Sequence, residues 1–374
     1  MSHHFDAASG LPLGEPAARA LTAAFGHGWA DPARLYHDGR LARQLLDAAR
    51  AAVATCVGAL PQEVIFTGSG TQALHLGLLG LARGRQAVGT QVVVSAVEHS
   101  AVLRAADWVL AGADPMLVPV NLHAEVDLEA LRAAVRSPDV AVAAVQQVNH
   151  EVGAVQPLAQ VHQAARDAGV PLLVDACAAL GSVPVTAHWD VLAGSAHKWG
   201  GPPGVGILVV RSGARWRSPV PTDEAGRPAG FPNIPGAVAA ATALEQATGR
   251  LSETVAHRTR MLDLLRAEVP RSAPDVLALG RAGSAPHIIC FTVLYADGEV
   301  LVTELDRAGF AVSSGSACTS DTRRPSHVLA AMGAITHGNL RVSLPPDVTE
   351  ADVAAFLAAL PRVVAAARAA AEHS

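Results

Sequence analysis

Lysine is almost missing from this chain: of 374 residues only Lys198 is one, and the rest of the 28 Lys+Arg are arginine. Arginine can replace lysine where only charge is needed, but it cannot act as an amine nucleophile, so the survivor is a candidate for chemistry. Cysteine is scarce as well. The four, at 56, 177, 290 and 318, form no C-x-x-C pair, which removes the usual metal-ligand spacing. No long basic run or basic-aromatic stripe is present and the formal net charge is -5, so direct nucleic-acid binding has no support. Met1-Ser2-His3-His4-Phe5-Asp6 has neither the charged region nor the apolar region of a secretion signal. Apolar stretches are broken by charge, Gly or Pro, so no membrane span is expected. A reduced, cytoplasmic setting follows, in which thiols can be chemistry and need not be staples.

What is present is apolar surface, 50% of the residues, in a chain too long for one compact core. From about 60 to 211, short apolar runs alternate with helical patterns, the signature of an α/β sheet with crossover helices. Strands are expected at 64–69, 91–96, 115–120, 140–148, 171–176, 191–195 and 204–210, with helices at 71–81, 100–110, 128–135 and 158–168. Several strands are apolar throughout, as in strands covered on both faces. Residues 212–236 read as an irregular connection and 237–268 as a long helical pattern. Strand-like 286–293, 310–314 and 340–344, helical 299–308 and 326–332, and an Ala-rich helix from about 349 then form a smaller α+β domain. The expected division is 15–250 for the large domain and 1–14 with 251–374 for the small one.

Ligands of such sheets bind at the carboxyl ends of strands, and the chemistry-bearing residues mostly fall there. Lys198, in Ser195-Ala196-His197-Lys198-Trp199-Gly200-Gly201, follows a strand. A lysine forms a Schiff base with an aldehyde once its pKa drops below the free value of roughly 10.4. Asp175 ends another apolar strand, where a buried carboxylate needs a partner, although an Asp there is also an ordinary helix cap. Thr67-Gly68-Ser69-Gly70-Thr71 leaves a strand and enters a helix, so its backbone N–H groups can hold one phosphate or simply form a turn. It lacks the nucleotide-loop and dinucleotide fingerprints. His99 can stack on a planar group or move protons near neutral pH. Asn149, in Asn149-His150-Glu151-Val152-Gly153, can donate to a ring oxygen or shape a turn. Cys318 lies in Ser313-Ser314-Gly315-Ser316-Ala317-Cys318-Thr319-Ser320, small polar surroundings that suit an accessible nucleophile on a mobile loop. Cys56, Cys177 and Cys290 have apolar neighbours and read as core. Arg341 can form a bidentate pair with a carboxylate.

Read in order, these residues resemble the cysteine desulfurases of the class V aminotransferase group, which are fold-type-I pyridoxal-phosphate (PLP) enzymes. The most specific pieces are Ser195-Ala196-His197-Lys198, Val174-Asp175-Ala176, Asn149-His150-Glu151-Val152-Gly153 and Ser313 to Ser320. Pro325-Ser326-His327-Val328-Leu329 keeps the same register. The resemblance implies a large domain with a mostly parallel sheet plus a smaller α+β domain. It implies that Lys198 carries PLP, Asp175 pairs with the pyridine nitrogen and His99 stacks on the ring. Asn149 approaches the ring hydroxyl or substrate, while Gly70, Thr71, Ser195 and His197 hold the phosphate. Arg341 binds the carboxylate of L-cysteine. Cys318 takes the sulfur, leaving alanine and a persulfide for an acceptor protein in iron–sulfur assembly or tRNA thiolation. A homodimer and no metal are implied too.

Five positions depart from the family pattern. Ala178 stands where Gln is usual, and Phe231 stands where a Thr reaches the partner subunit's phosphate. Ser9-Gly10 replaces Thr-Thr, and Asp31-Pro32 replaces Asn-Pro. Ala178 and Phe231 keep open a sulfur-carrier subunit without turnover, and a β-lyase, a selenocysteine lyase or an aminotransferase on the same scaffold are the rival enzymes.

Overall fold

A computed structural model describes residues 3–315 and 325–371. Its strands, in chain order, are β1 (His3–His4), β2 (Val64–Thr67), β3 (Gln91–Ser95), β4 (Met116–Val118), β5 (Val140–Gln146) and β6 (Leu172–Asp175). They continue as β7 (Val191–Ser195), β8 (Gly206–Val210), β9 (Val276–Ala278), β10 (Ile288–Val293), β11 (Phe310–Ala311) and β12 (Asn339–Ser343). Seven of these form one sheet in the order β2-β8-β7-β6-β5-β3-β4. β3, β4, β5, β6 and β7 pair in parallel, and β8 runs antiparallel to both β7 and β2.

The fully apolar strands serve two faces. In β5, Val140, Ala143 and Val145 enter one core, and Ala141, Val142 and Ala144 enter the other. The first core is closed by helices that include His37–Val57, Leu158–Asp167 and Ile234–Gly249, the second by Gly70–Gly84 and Ser100–Val109. Burial on both faces is what removed polar alternation from these strands. The chain winds outward from β3 to β4 and then returns to β5 on the other side, so the order reverses between β3 and β5. Crevices form at the carboxyl ends of strands flanking such a reversal.

A third core gathers Phe5 with apolar residues from Met261 to Ala367. Here β10 pairs antiparallel with β9 and β12, and the register sets Cys290 opposite Arg341. The short parallel pair β1–β11 ties the N-terminal segment to this unit. That segment continues to the large sheet, with the Ala7 N–H on the Ser343 carbonyl and the Leu11 N–H on the His197 carbonyl.

The differences from the sequence reading are local. The 237–268 pattern is two helices, Ile234–Gly249 and Leu251–Ser272, because Arg250 leaves helical geometry at φ -104°, ψ 7°. Helices Glu15–Phe25 and His37–Val57 and strand β9 carried no distinct signal. The expected strand at 310–314 is two residues plus an isolated bridge from Ser313 to Arg341. Glu350–Ala371 is long and apolar enough, by length and composition, to cross a membrane, which the reading of broken apolar runs did not anticipate. Its Val353, Phe356, Leu360, Val363 and Val364 are buried in the core that also holds Phe5.

The reversed strand β8 matters for the loop that precedes helix Gly70–Gly84. Gly206 pairs with Thr67, and a Cβ there would collide with the Ser69 carbonyl. Ser69 is the N-cap of that helix, its Oγ accepting the Gln72 N–H at 3.0 Å. Backbone cannot yield as a flexible side chain can. Gly206→Ala is expected to cost about 1–3 kcal/mol of stability, read as a lower urea midpoint at unchanged m value.

Candidate active site

Lys198 ends a 3-10 turn, Ala196–Lys198, that directly follows β7. Asp175 is the last residue of the neighbouring β6 and is 6% exposed. One oxygen, Oδ1, accepts the Cys177 N–H at 2.8 Å. Among the described residues no cation lies within ion-pair distance of it. A carboxylate buried in that way calls for a positive or hydrogen-bonding partner from a bound molecule.

His99 caps helix Ser100–Val109, and its Nδ1 accepts the Ala101 N–H at 3.1 Å. The proton of the neutral ring is therefore on Nε2. Burial lowers the His99 pKa, Asp175 pulls it back and Lys198 lowers it further. These couplings put His99, Asp175 and Lys198 in one electrostatic cluster. His150 meets His99 edge-on, ring centroids 5.1 Å apart, and burial, His99 and Lys198 keep it neutral. Glu98 is completely buried: Oε1 accepts the Gln146 N–H at 2.8 Å and Oε2 has no partner. Burial and then Asp175 push its carboxyl well above the usual range, so it retains its proton.

Asn149 is fully buried and largely engaged by its own turn. Its Oδ1 accepts the N–H groups of Glu151 and Val152, and its Nδ2 donates to the Val97 carbonyl. Thr71 and Gly70 open helix Gly70–Gly84, Thr71 exposed and Gly70 buried. A Cβ on Gly70 would stand 2.7 Å from Ser195 Cβ and 2.9 Å from Cys177 Sγ. Only glycine lets this helix end approach β7 so closely. Ser195 Oγ and His197 Nδ1 are 3.1 Å apart beside it.

Arg341 is 3% exposed. Its Nη2 donates to Asp6 Oδ1 at 2.7 Å and Ser9 Oγ at 2.8 Å, its Nη1 donates to the His150 carbonyl at 3.0 Å, and Nε is without a partner. A carboxylate seeking the Nε–Nη2 edge must share or displace Asp6 or Ser9. Glu151 lies nearby, 3% exposed, accepting the Ser326 hydroxyl at 2.6 Å. Burial raises its carboxyl to about 7, against the pull of Ser326 and Arg341.

Cys318 lies outside the described residues. The other three cysteines are free thiols, and burial pushes each pKa up, Cys290 to about 12. None of the three is a ready thiolate. Among the described residues no group of three or more His, Cys, Asp or Glu could hold a metal ion. The sequence did not single out Asp6, His150, Glu98 or Glu151. Asp6, His150 and Glu151 fall inside or beside the motifs that carry the resemblance, and Glu98 directly precedes His99.

The sequence matches the family model for aminotransferase class-V over residues 6–356. The chain belongs to that family. It is 36% identical to an IscS-like cysteine desulfurase of Mycobacterium tuberculosis, with 98% of each chain covered. It is 30% identical to the cysteine desulfurase IscS of Dictyoglomus turgidum, over 96% of this chain and 94% of that one. A solved NifS-like protein superposes with a TM-score of 0.90 at 27% identity, covering 98% of this chain and all of the other. These families are PLP-dependent, and the side chains fit that cofactor. Gly70 and its helix end make a close backbone cradle for phosphate, Asp175 offers a carboxylate without a cation of its own, and Lys198 supplies the amine.

Glu151 gives this cluster a pH signature. Its folded-state pKa lies above the unfolded value, so the native state holds a proton that the unfolded chain releases. Stability is therefore lost as pH rises from about 4.5 to about 7 and stays lost above it. Glu151→Gln keeps an acceptor for Ser326 and has no proton to lose. Relative to wild type it should gain stability between pH 5 and pH 8, by on the order of 3 kcal/mol at most, measured by urea unfolding at both pH values.

Proposed function

We propose that this chain is a PLP-dependent cysteine desulfurase that removes sulfur from L-cysteine, leaving L-alanine and a persulfide on Cys318. The observation that carries the reading is the placement of the sole lysine beside a buried aspartate that has no cation at ion-pair distance among the described residues, with a neutral histidine completing the cluster. PLP, when bound, supplies the electron sink that stabilises negative charge at the substrate α-carbon. The remaining work falls to the protein.

Lys198 holds the cofactor and, once released by substrate, is the amine placed to move a proton at the α-carbon. Asp175, whose carboxylate has no cation within ion-pair distance among the described residues, would keep the ring nitrogen protonated. His99, held neutral by burial with its proton on Nε2, would stack on the ring. Gly70, Thr71, Ser195 and His197 bind the phosphate. Arg341 binds the substrate carboxylate at its Nε edge, sharing Nη2 with Asp6 or Ser9, while Nη1 on the His150 carbonyl fixes the guanidinium plane. The Cys318 thiolate attacks the substrate sulfur and an S–S bond forms. The carbon–sulfur bond breaks, its electron pair stays on carbon, and a proton there completes alanine. The raised thiol pKa values of Cys56, Cys177 and Cys290 leave Cys318 as the cysteine for this step.

The persulfide goes to an acceptor protein, in iron–sulfur assembly as the IscS-type relatives suggest, or in tRNA thiolation. A homodimer accords with the exposed surface: Asp31–Ala33 and Phe231 line one groove with Thr67, Gly68 and Gln72, and Trp29, Leu35, Tyr36 and Phe231 are exposed. A reducing, cytoplasmic compartment suits the free thiols.

The test is the absorbance of purified, PLP-loaded protein before and after L-cysteine, with alanine assayed in parallel. Lys198→Ala should abolish the visible band of lysine-bound cofactor and all turnover. Cys318→Ala should keep the band and lose alanine formation by at least about 100-fold, the order of a lost nucleophile. Free sulfide released by Cys318→Ala at the wild-type rate would identify a lyase instead.

A further inference from the structure

Next to Lys198 lies a second set of buried polar groups that the desulfurase reading does not use. Arg258, on helix Leu251–Ser272, is 1% exposed. Its Nη1 donates to Ser182 Oγ at 3.2 Å, its Nε has no partner, and among the described residues no carboxylate reaches ion-pair distance. Asp347 acts on it only from farther away. His287, just before β10, is 4% exposed. Its Nε2 stands 3.0 Å from the Ala178 carbonyl oxygen, and its Nδ1 has no partner. Both side chains line a recess with Cys177, Ala178, Ser182 and Lys198 that has room for about one water molecule.

The chemistry of the lining is specific. A carbonyl only accepts, so His287 Nε2 carries the proton and donates it to Ala178. Burial and the positive charge of Arg258 hold the ring neutral, its pKa down at about 3. Nδ1 is therefore a lone pair seeking a donor, while Arg258 Nε–H is a donor seeking an acceptor. A halide or carboxylate would satisfy the arginine and repel the lone pair. An ammonium would do the reverse. A group that both accepts and donates, and is no larger than one oxygen, satisfies both. The short side chain of Ala178 leaves the room for it.

We propose that this recess is a binding site for one hydroxyl group, which accepts a hydrogen bond from Arg258 Nε and donates one to His287 Nδ1. Two sources share that chemistry: a lone water, or the ring hydroxyl of PLP held on Lys198. The second arm rests on the PLP reading; the first does not.

The two side chains push the proton of a ring hydroxyl in opposite directions. His287 accepts from it and favours the hydroxyl form, which absorbs at shorter wavelength. Arg258 donates to it and favours the ionised oxygen, which absorbs at longer wavelength. With the ring hydroxyl in the recess, PLP-loaded His287→Leu should shift the band ratio at least about twofold towards long wavelength, and Arg258→Met as much towards short wavelength. His287→Gln, whose amide oxygen still accepts, should keep the wild-type ratio. A purely structural role would not give shifts of opposite sign. With water as the occupant the ratios stay put, and a high-resolution crystal structure of the wild type shows an isolated oxygen bonded to both nitrogens. Wild-type crystal structures with and without PLP that place no oxygen within hydrogen-bond distance of both nitrogens overturn the proposal, even if every variant fails to fold. Should the protein bind no PLP at all, the desulfurase reading falls, and the PLP-free crystal still decides the recess.

Discussion

Charge burial at the carboxyl ends of β6 and β7 is the constraint on which the rest of the site depends. Asp175 and Lys198 sit at adjacent strand ends under a sheet covered on both faces. In that medium a further bare charge is costly. The surrounding titratable groups accordingly take their neutral forms: His99 and His150 lose protons to burial, Glu98 keeps its own, and the Cys177 thiol stays protonated. The fold thus leaves Asp175 and Lys198 with few charged competitors around them.

The two buried arginines show how context decides what a guanidinium is for. Arg341 is fixed on two sides by Asp6, Ser9 and the His150 carbonyl, so its orientation is set before any substrate arrives. Preorganisation of that kind lowers the cost of ordering on binding. Arg258 has a single long hydrogen bond to Ser182 and a free Nε. Its burial with no carboxylate at ion-pair distance among the described residues is tolerable only where something polar meets it.

Much of this was legible in the sequence, for physical reasons that can be named. Strands β5, β6 and β7 are short runs of Val, Ala and Leu ending at a polar residue, and buried parallel strands have little freedom to look otherwise. Asp175 was visible because it ends such a run, and Lys198 because it is the only lysine and lies just after one. Helices Glu15–Phe25 and His37–Val57 were not, since Ala, which marks an apolar face weakly, is the commonest residue in both. The break at Arg250 escaped notice because both flanking segments favour helix. Asp6, Glu151 and Arg258 were illegible for a different reason: their roles depend on partners 335, 175 and 76 residues away in the chain. No local pattern encodes a contact of that range.

Having one lysine gives the molecule a property that most proteins lack. Aldehydes react with side-chain amines wherever they meet them, and an ordinary surface offers many. Here a carbonyl reagent finds a single ε-amino group, partly buried after β7 among imidazoles and a carboxylate. Any covalent adduct formed by such a reagent and trapped by reduction on a side-chain amine therefore reports occupancy of the catalytic cluster itself, mole for mole, with no background from the rest of the surface.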